Sequence, residues 1–199
     1  VVTNLAGDLD VLEGHAALAD FSLIRLQERG PEQRYTMLET IRDYARQKLD
    51  NDGQTQSVAQ RHCEHFFALA KFVRQGVEGP EQADCLRRME TELDNVRSAM
   101  ALALSGATDP VLSVKFSVAM LAFWVLRNYA TEGRRLVKTA LALPEVRGSE
   151  LARSHALFVG AELAASQGDY QEARSMLEIC LELRRGLDDP VAVAATLSC

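Results

Sequence analysis

The chain has 199 residues, 47% of them hydrophobic and 25% charged, which supplies a packed core and argues against long disordered stretches. Its formal net charge of -6 argues against a broad nucleic-acid surface, which would need clustered Lys and Arg. No apolar run approaches the ~20 residues of a membrane span, the longest candidate being Phe116 to Leu126.

The Val1-Val2-Thr3 start lacks the charged and then apolar pattern of a secretory signal. Cys63, Cys85, Cys180 and Cys199 are scattered and form no CxxC pair, so a reduced, cytoplasmic protein with incidental thiols is expected. The chain does not begin with Met and runs out within a helix-forming stretch, Ala192 to Cys199, so a piece of a longer protein is expected.

In chain order, residues 11–20 place Val11, Leu12, His15, Ala16 and Leu18 near one helical face. Phe21 to Gln27 is rich in β-compatible residues. Glu28 to Glu32, with Gly30-Pro31 inside it, reads as a turn, and Gln33 to Met37 can return as a second strand. One β-hairpin at about 21–37 is predicted. Leu38, Ile41, Ala45 and Leu49 then follow a spacing of three and four, the mark of an amphipathic helix, which Asn51-Asp52-Gly53 ends. Beyond this point helices alone are predicted, over 56–77, 80–105, 110–127, 131–143, 149–166, 170–185 and 190–199. The breaks carry Gly, Pro or Asp, and Asp189 before Pro190 is placed to cap the last helix. Such helices joined by short turns predict stacked antiparallel pairs. The expected organisation is a small segment with the hairpin, 1–53, and a helical region, 54–199.

An internal period fixes the register. Gly168-Asp169-Tyr170 lies between two helices, with Ala173 and Cys180 following. Forty residues earlier stand Asn128, Gly133 and Ala140, so small residues recur where two helices approach closely, and Asn128 takes the turn position. One step further back Ala99 is a rough match. Tyr170 and Ala173 are both expected to be buried between the helices of one repeat.

The run Gly168-Asp169-Tyr170-Gln171-Glu172-Ala173 resembles the turn of a tetratricopeptide (TPR) repeat, with Gly160 and Ala161 at the small positions of its first helix. A second resemblance lies in Arg34-Tyr35-Thr36-Met37-Leu38-Glu39-Thr40-Ile41-Arg42-Asp43-Tyr44-Ala45. This is similar to a signature of signal-transduction (STAND-type) ATPases that include LuxR-like and SARP-like transcriptional regulators. Arg61-His62, Glu92 to Ala99, Phe123-Trp124 and Glu132-Gly133-Arg134 continue the likeness in order. The resemblance implies an all-α fold of TPR-like stacked antiparallel helix pairs, an α-solenoid, preceded by a partial winged-helix segment whose wing is the hairpin. It also implies an ATPase domain in the same parent chain as a partner.

No GxxxxGK[ST] and no GxGxxG motif is present, so no nucleotide cofactor and no enzyme activity are expected in this chain. His62 and His65 share a helix face, but no second cluster completes a tetrahedral site, so a packed helix face and no metal are expected. His155 is a lone histidine without a nucleophile motif. Arg25, Arg29 and Arg34 flank the hairpin, where a DNA-binding wing would touch phosphates. Glu28 and Glu32 offset that charge, so nucleic acid is not the expected partner.

The expected function is therefore a non-catalytic interaction or sensor module of an ATP-dependent transcriptional regulator. The alternative is a DNA-binding winged-helix fragment. A partner protein, peptide or small effector would lie in the groove that stacked pairs create. With Ser154 as the first position of its repeat, the groove positions fall on His155, Phe158 and Glu162, and forty residues earlier on Lys115, Val118 and Ala122.

Overall fold

The computed structural model describes residues 11–29 and 32–198, with the side chains of Val11, Leu12, Glu28, Arg29, Glu32 and Gln33 left aside. The expected turn at Gly30-Pro31 lies outside the described residues. The fold is all-α with one small hairpin: ten helices and a two-stranded antiparallel sheet stand among the described residues. The chain divides into two compact units between Val58 and Ala59.

The first unit holds α1 (Val11–Asp20), β1 (Arg25–Arg29), β2 (Glu32–Thr36) and α2 (Glu39–Asn51). Leu26 pairs with Tyr35 and Gln27 with Arg34 across the hairpin. The first strand begins later than expected. Phe21 to Ile24 close α1 instead: Ser22 takes a φ of 57°, and the Leu23 and Ile24 amides both donate to the Leu18 carbonyl. A left-handed residue with amides folded back onto the last carbonyls is how a helix satisfies its C-terminus. That demand outranks the β propensity of Phe21 and Leu23. His15 stacks on Tyr35 at 4.7 Å between ring centroids.

The second unit comprises the rest of α3 (Thr55–Gly76) with α4 (Gln82–Leu104), α5 (Val111–Leu126), α6 (Ala130–Ala142), α7 (Pro144–Arg147), α8 (Glu150–Ser166), α9 (Tyr170–Gly186) and α10 (Pro190–Leu197). The break expected at Pro144 is itself a single helical turn, started by proline at its first position and anchored by buried Val146. Trp124, Phe116, Phe123, Met89, Met100 and Met120 are the largest fully buried side chains of the continuous core. α5 is apolar almost all round because α4, α6 and α8 all pack on it.

The turns follow the predicted register. Asn128, Gly168 and Asp188 have φ of 60°, 80° and 54°, and in each case the next residue is the N-cap of the following helix. Asp169 accepts a hydrogen bond from the Glu172 amide at 3.3 Å, and Asp189 one from the Ala192 amide at 2.9 Å. The small residues lie where backbones approach. A methyl group on Gly133 would stand 2.7 Å from the Trp124 ring and 2.8 Å from Leu163, and one on Gly160 2.8 Å from the Met176 sulfur. Ala140, Ala173 and Cys180 are all buried.

Tyr170 departs from expectation, being 72% exposed. It is the first residue of α9, directly after the capping Asp169, and the inter-helix space at that level is filled by Ala161, Ala164 and Ala173. An alanine-lined contact leaves no room for a phenol, so the ring turns to solvent.

Ion pairs tie successive second helices together. Arg97 of α4 grips Glu132 of α6 with two hydrogen bonds of 2.7 and 2.6 Å, and Arg134 of α6 reaches Asp169 at 2.7 Å and also Glu172. The paired carboxylate holds the Arg97 guanidinium well above its ordinary range.

Candidate functional site

A cleft of about 860 Å³ opens between α3, α5 and α8, within the ~300–1,000 Å³ usual for ligand sites. Val118, Leu121 and Ala122 of α5 and Phe158 of α8 give it an apolar floor. Lys71 and Arg74 of α3 rim it with positive charge, and Glu78 and Glu162 with negative charge. The helix spacing explains the lining. Val118 and Ala122, and likewise Phe158 and Glu162, lie one turn apart and so share a face. α3 is held alongside by an edge-on contact of Phe67 with Phe116 at 5.3 Å, and the Lys71 ammonium sits 5.0 Å over the Phe67 ring.

Of the six positions expected to form a strip, Val118, Ala122, Phe158 and Glu162 meet in this cleft. Lys115 is exposed, and it and the half-buried His155 stand outside the lining, each one turn before a residue that belongs to it. Lys71 and Arg74 of α3, and Glu78 just beyond its end, are not among the expected positions. The period is degenerate before Ala99, so the sequence offered no register for placing α3 beside α5.

Burial pushes the His155 imidazole below its ordinary value of 6.5. The Arg184 and Arg74 charges act in the same direction, and Asp189 opposes them. Arg184 itself is 5% exposed. Its guanidinium lies 4.5 Å from the centroid of the Phe158 ring and donates to the Ala192 carbonyl at 2.9 Å and to the Thr196 hydroxyl at 2.7 Å.

Elsewhere the chemistry is structural. His62 and His65 both pack on Phe66, at 4.8 and 4.9 Å, and no group of three metal-ligating side chains exists among the described residues. The Cys63 thiol meets the Ala99 carbonyl and Cys180 that of Ser154, and burial pushes both thiols up. A second depression, of about 960 Å³, lies against α4 and α6, where Arg97 and Glu132 are paired with each other and Arg135 also lines the wall. Among the described residues no helix is long and apolar enough to cross a membrane.

The chain is 28% identical, over 96% of its length, to proteins of Mycobacterium bovis and Mycobacterium tuberculosis provisionally named HTH-type transcriptional regulators. It spans 22% of the length of those relatives. No family model and no solved structure matches it.

Proposed function

We propose that this chain is a non-catalytic, TPR-like interaction and sensor module of a longer transcriptional regulator, taking a peptide, protein segment or small effector in the cleft between α3, α5 and α8. The observation that carries the reading is the cleft itself. Its apolar floor and two-signed rim suit an amphipathic ligand and not a phosphate backbone. The forty-residue recurrence of left-handed turns and small contact residues supports the TPR likeness. The regulatory role comes from the relatives, of which this chain corresponds to about a fifth. An ATPase domain elsewhere in the parent chain would be the element whose state the ligand biases, and the compartment would be the cytoplasm.

The test is selection of binding peptides from a displayed random library on the purified chain. Binding is then measured to Ala122→Trp, which fills the floor, and Val118→Glu, which charges it. Both changes should weaken binding at least tenfold. Selected peptides that bind both variants as they bind the original would place recognition elsewhere.

The relatives' names favour a second reading, DNA binding by a winged helix carrying the hairpin. Arg25 stands on an exposed strand, but the chain lacks the net positive footprint that phosphate binding needs. A gel-shift titration at low salt separates the two: no retarded species is expected, and salt-sensitive retardation abolished by Arg25→Glu would favour DNA.

A further inference from the structure

Arg184 is a buried cation without a counter-ion. It is 5% exposed, and its Nε–H is buried without a hydrogen-bond partner. Its two contacts, the Ala192 carbonyl and the Thr196 hydroxyl, are neutral, and Thr196 is already satisfied by the same carbonyl at 2.7 Å. No carboxylate among the described residues makes an ion pair with it. Asp189, at the start of α10, uses its carboxylate to cap that helix. A guanidinium is always charged, and burying one unpaired is costly, so such a group is normally matched by an acid.

What lies against Arg184 is Phe158, whose other surroundings are the cleft floor. Arg74 stands on the rim of the same cleft. The half-buried His155, one turn from Phe158, adds no negative charge. The acids of the cleft, Glu78 and Glu162, pair with neither arginine.

We propose that Arg184, with Arg74 on the cleft rim, forms a carboxylate-binding subsite at the Phe158 end of the cleft, and that the ligand carries a carboxylate next to an apolar group. Arg184 itself is not part of the cleft lining: Phe158 lines the cleft and stacks on the guanidinium, so the subsite requires the Phe158 ring to turn aside for a carboxylate to reach the arginine. The fork geometry of arginine suits two parallel hydrogen bonds to a carboxylate, and the orphan Nε–H is one of the donors they would use. The apolar part of the ligand then rests on Val118 and Ala122. This assignment rests on the cleft being the binding site.

The test uses the whole chain and the NMR signal of the Arg184 Nε–H, assigned by its loss in Arg184→Met. N-acetylphenylalanine is the probe, its uncharged amide and inorganic phosphate the controls. The expected result is a saturable shift of the Nε–H signal with the carboxylate, at a dissociation constant on the order of 1 mM for so small a ligand. The amide should bind at least tenfold more weakly, and N-acetylaspartate methylamide, which has a side-chain carboxylate but no ring, should also be weaker. An Nε–H that does not respond, or that responds equally to the amide or to phosphate, would overturn the subsite. Should Arg184→Met misfold, Arg184→Lys, which keeps the charge but lacks the Nε–H of a guanidinium, supplies the same assignment. Probe binding lost in Ala122→Trp but kept in a folded Arg184→Met, followed on the methyl signals of the lining residues Val118 and Leu121, keeps the cleft and removes the subsite. Binding kept in both removes the cleft as well.

Discussion

At the scale of single residues, volume and protonation decide most. Ala173 is 5% exposed within an alanine-lined contact, so Ala173→Leu should overpack it and cost about 1–3 kcal/mol. For a chain of this size each 1 kcal/mol lowers the melting temperature by roughly 2–4 °C, which a thermal melt reads directly. Tyr170→Ala, three residues away, should change it little, because the ring faces solvent. The same sequence motif thus suggested burial for both and was right about the small residue alone. A periodic pattern marks where helices meet, but the residue that opens a helix has no preceding turn to cover it.

His155 makes the second case. Its imidazole is held below 6.5 in the folded chain, first by burial and then by the Arg184 charge, so the unfolded chain takes up the proton more readily. Stability conferred by the neutral ring is therefore complete above the unfolded value of about 6.5 and declines as pH falls below it. Melting temperatures measured from pH 7.5 down to pH 5.5 should fall, and His155→Gln should flatten part of that fall. His62, also lowered chiefly by burial, accounts for a further part.

At the scale of elements, the turns between paired helices do unequal work although they look alike. Asp169 caps α9 and also receives Arg134 from α6, whereas Asp189 caps α10 and has no ion pair among the described residues. Loss of a cap costs typically ~1 kcal/mol. Asp189→Ala should cost about that, and Asp169→Ala more, since a half-buried arginine also loses one of its two acids. Urea denaturation of the two variants ranks them. Much of this level was legible in the sequence. The positions of α3 to α6 and α8 to α10 follow from Gly, Pro and Asp breaks, and the left-handed backbone at Asn128 from its place forty residues before Gly168. The first strand was not legible. Phe21 and Leu23 have strand-like side chains, but their amides are claimed by the end of α1. Nor was the placement of α3 in the cleft, because a degenerate repeat keeps its packing partner while losing the residues that mark its register.

At the scale of the whole molecule, the sequence contains neither GxxxxGK[ST] nor GxGxxG, so calorimetric titration with Mg-ATP should give no isotherm. A binding curve in the micromolar range would require a nucleotide site unlike the known Gly-rich loops. The second unit also has an internal hierarchy. α8 is packed by α5, α6, α7 and α9, whereas α10 is held by α9. Contacts between near neighbours let a stack open from its ends, one helix pair at a time. Amide hydrogens of α8 and α5 should consequently exchange with deuterated solvent at close to the global unfolding rate, and those of α10 and the end of α9 much sooner. Arg184 lies in that early-opening end while Phe158, its stacking partner, lies in the last. A ligand that bridges the two would slow exchange in α9 and α10 while leaving the already slow exchange of α8 unchanged, so occupancy is read as protection that travels outward from the cleft.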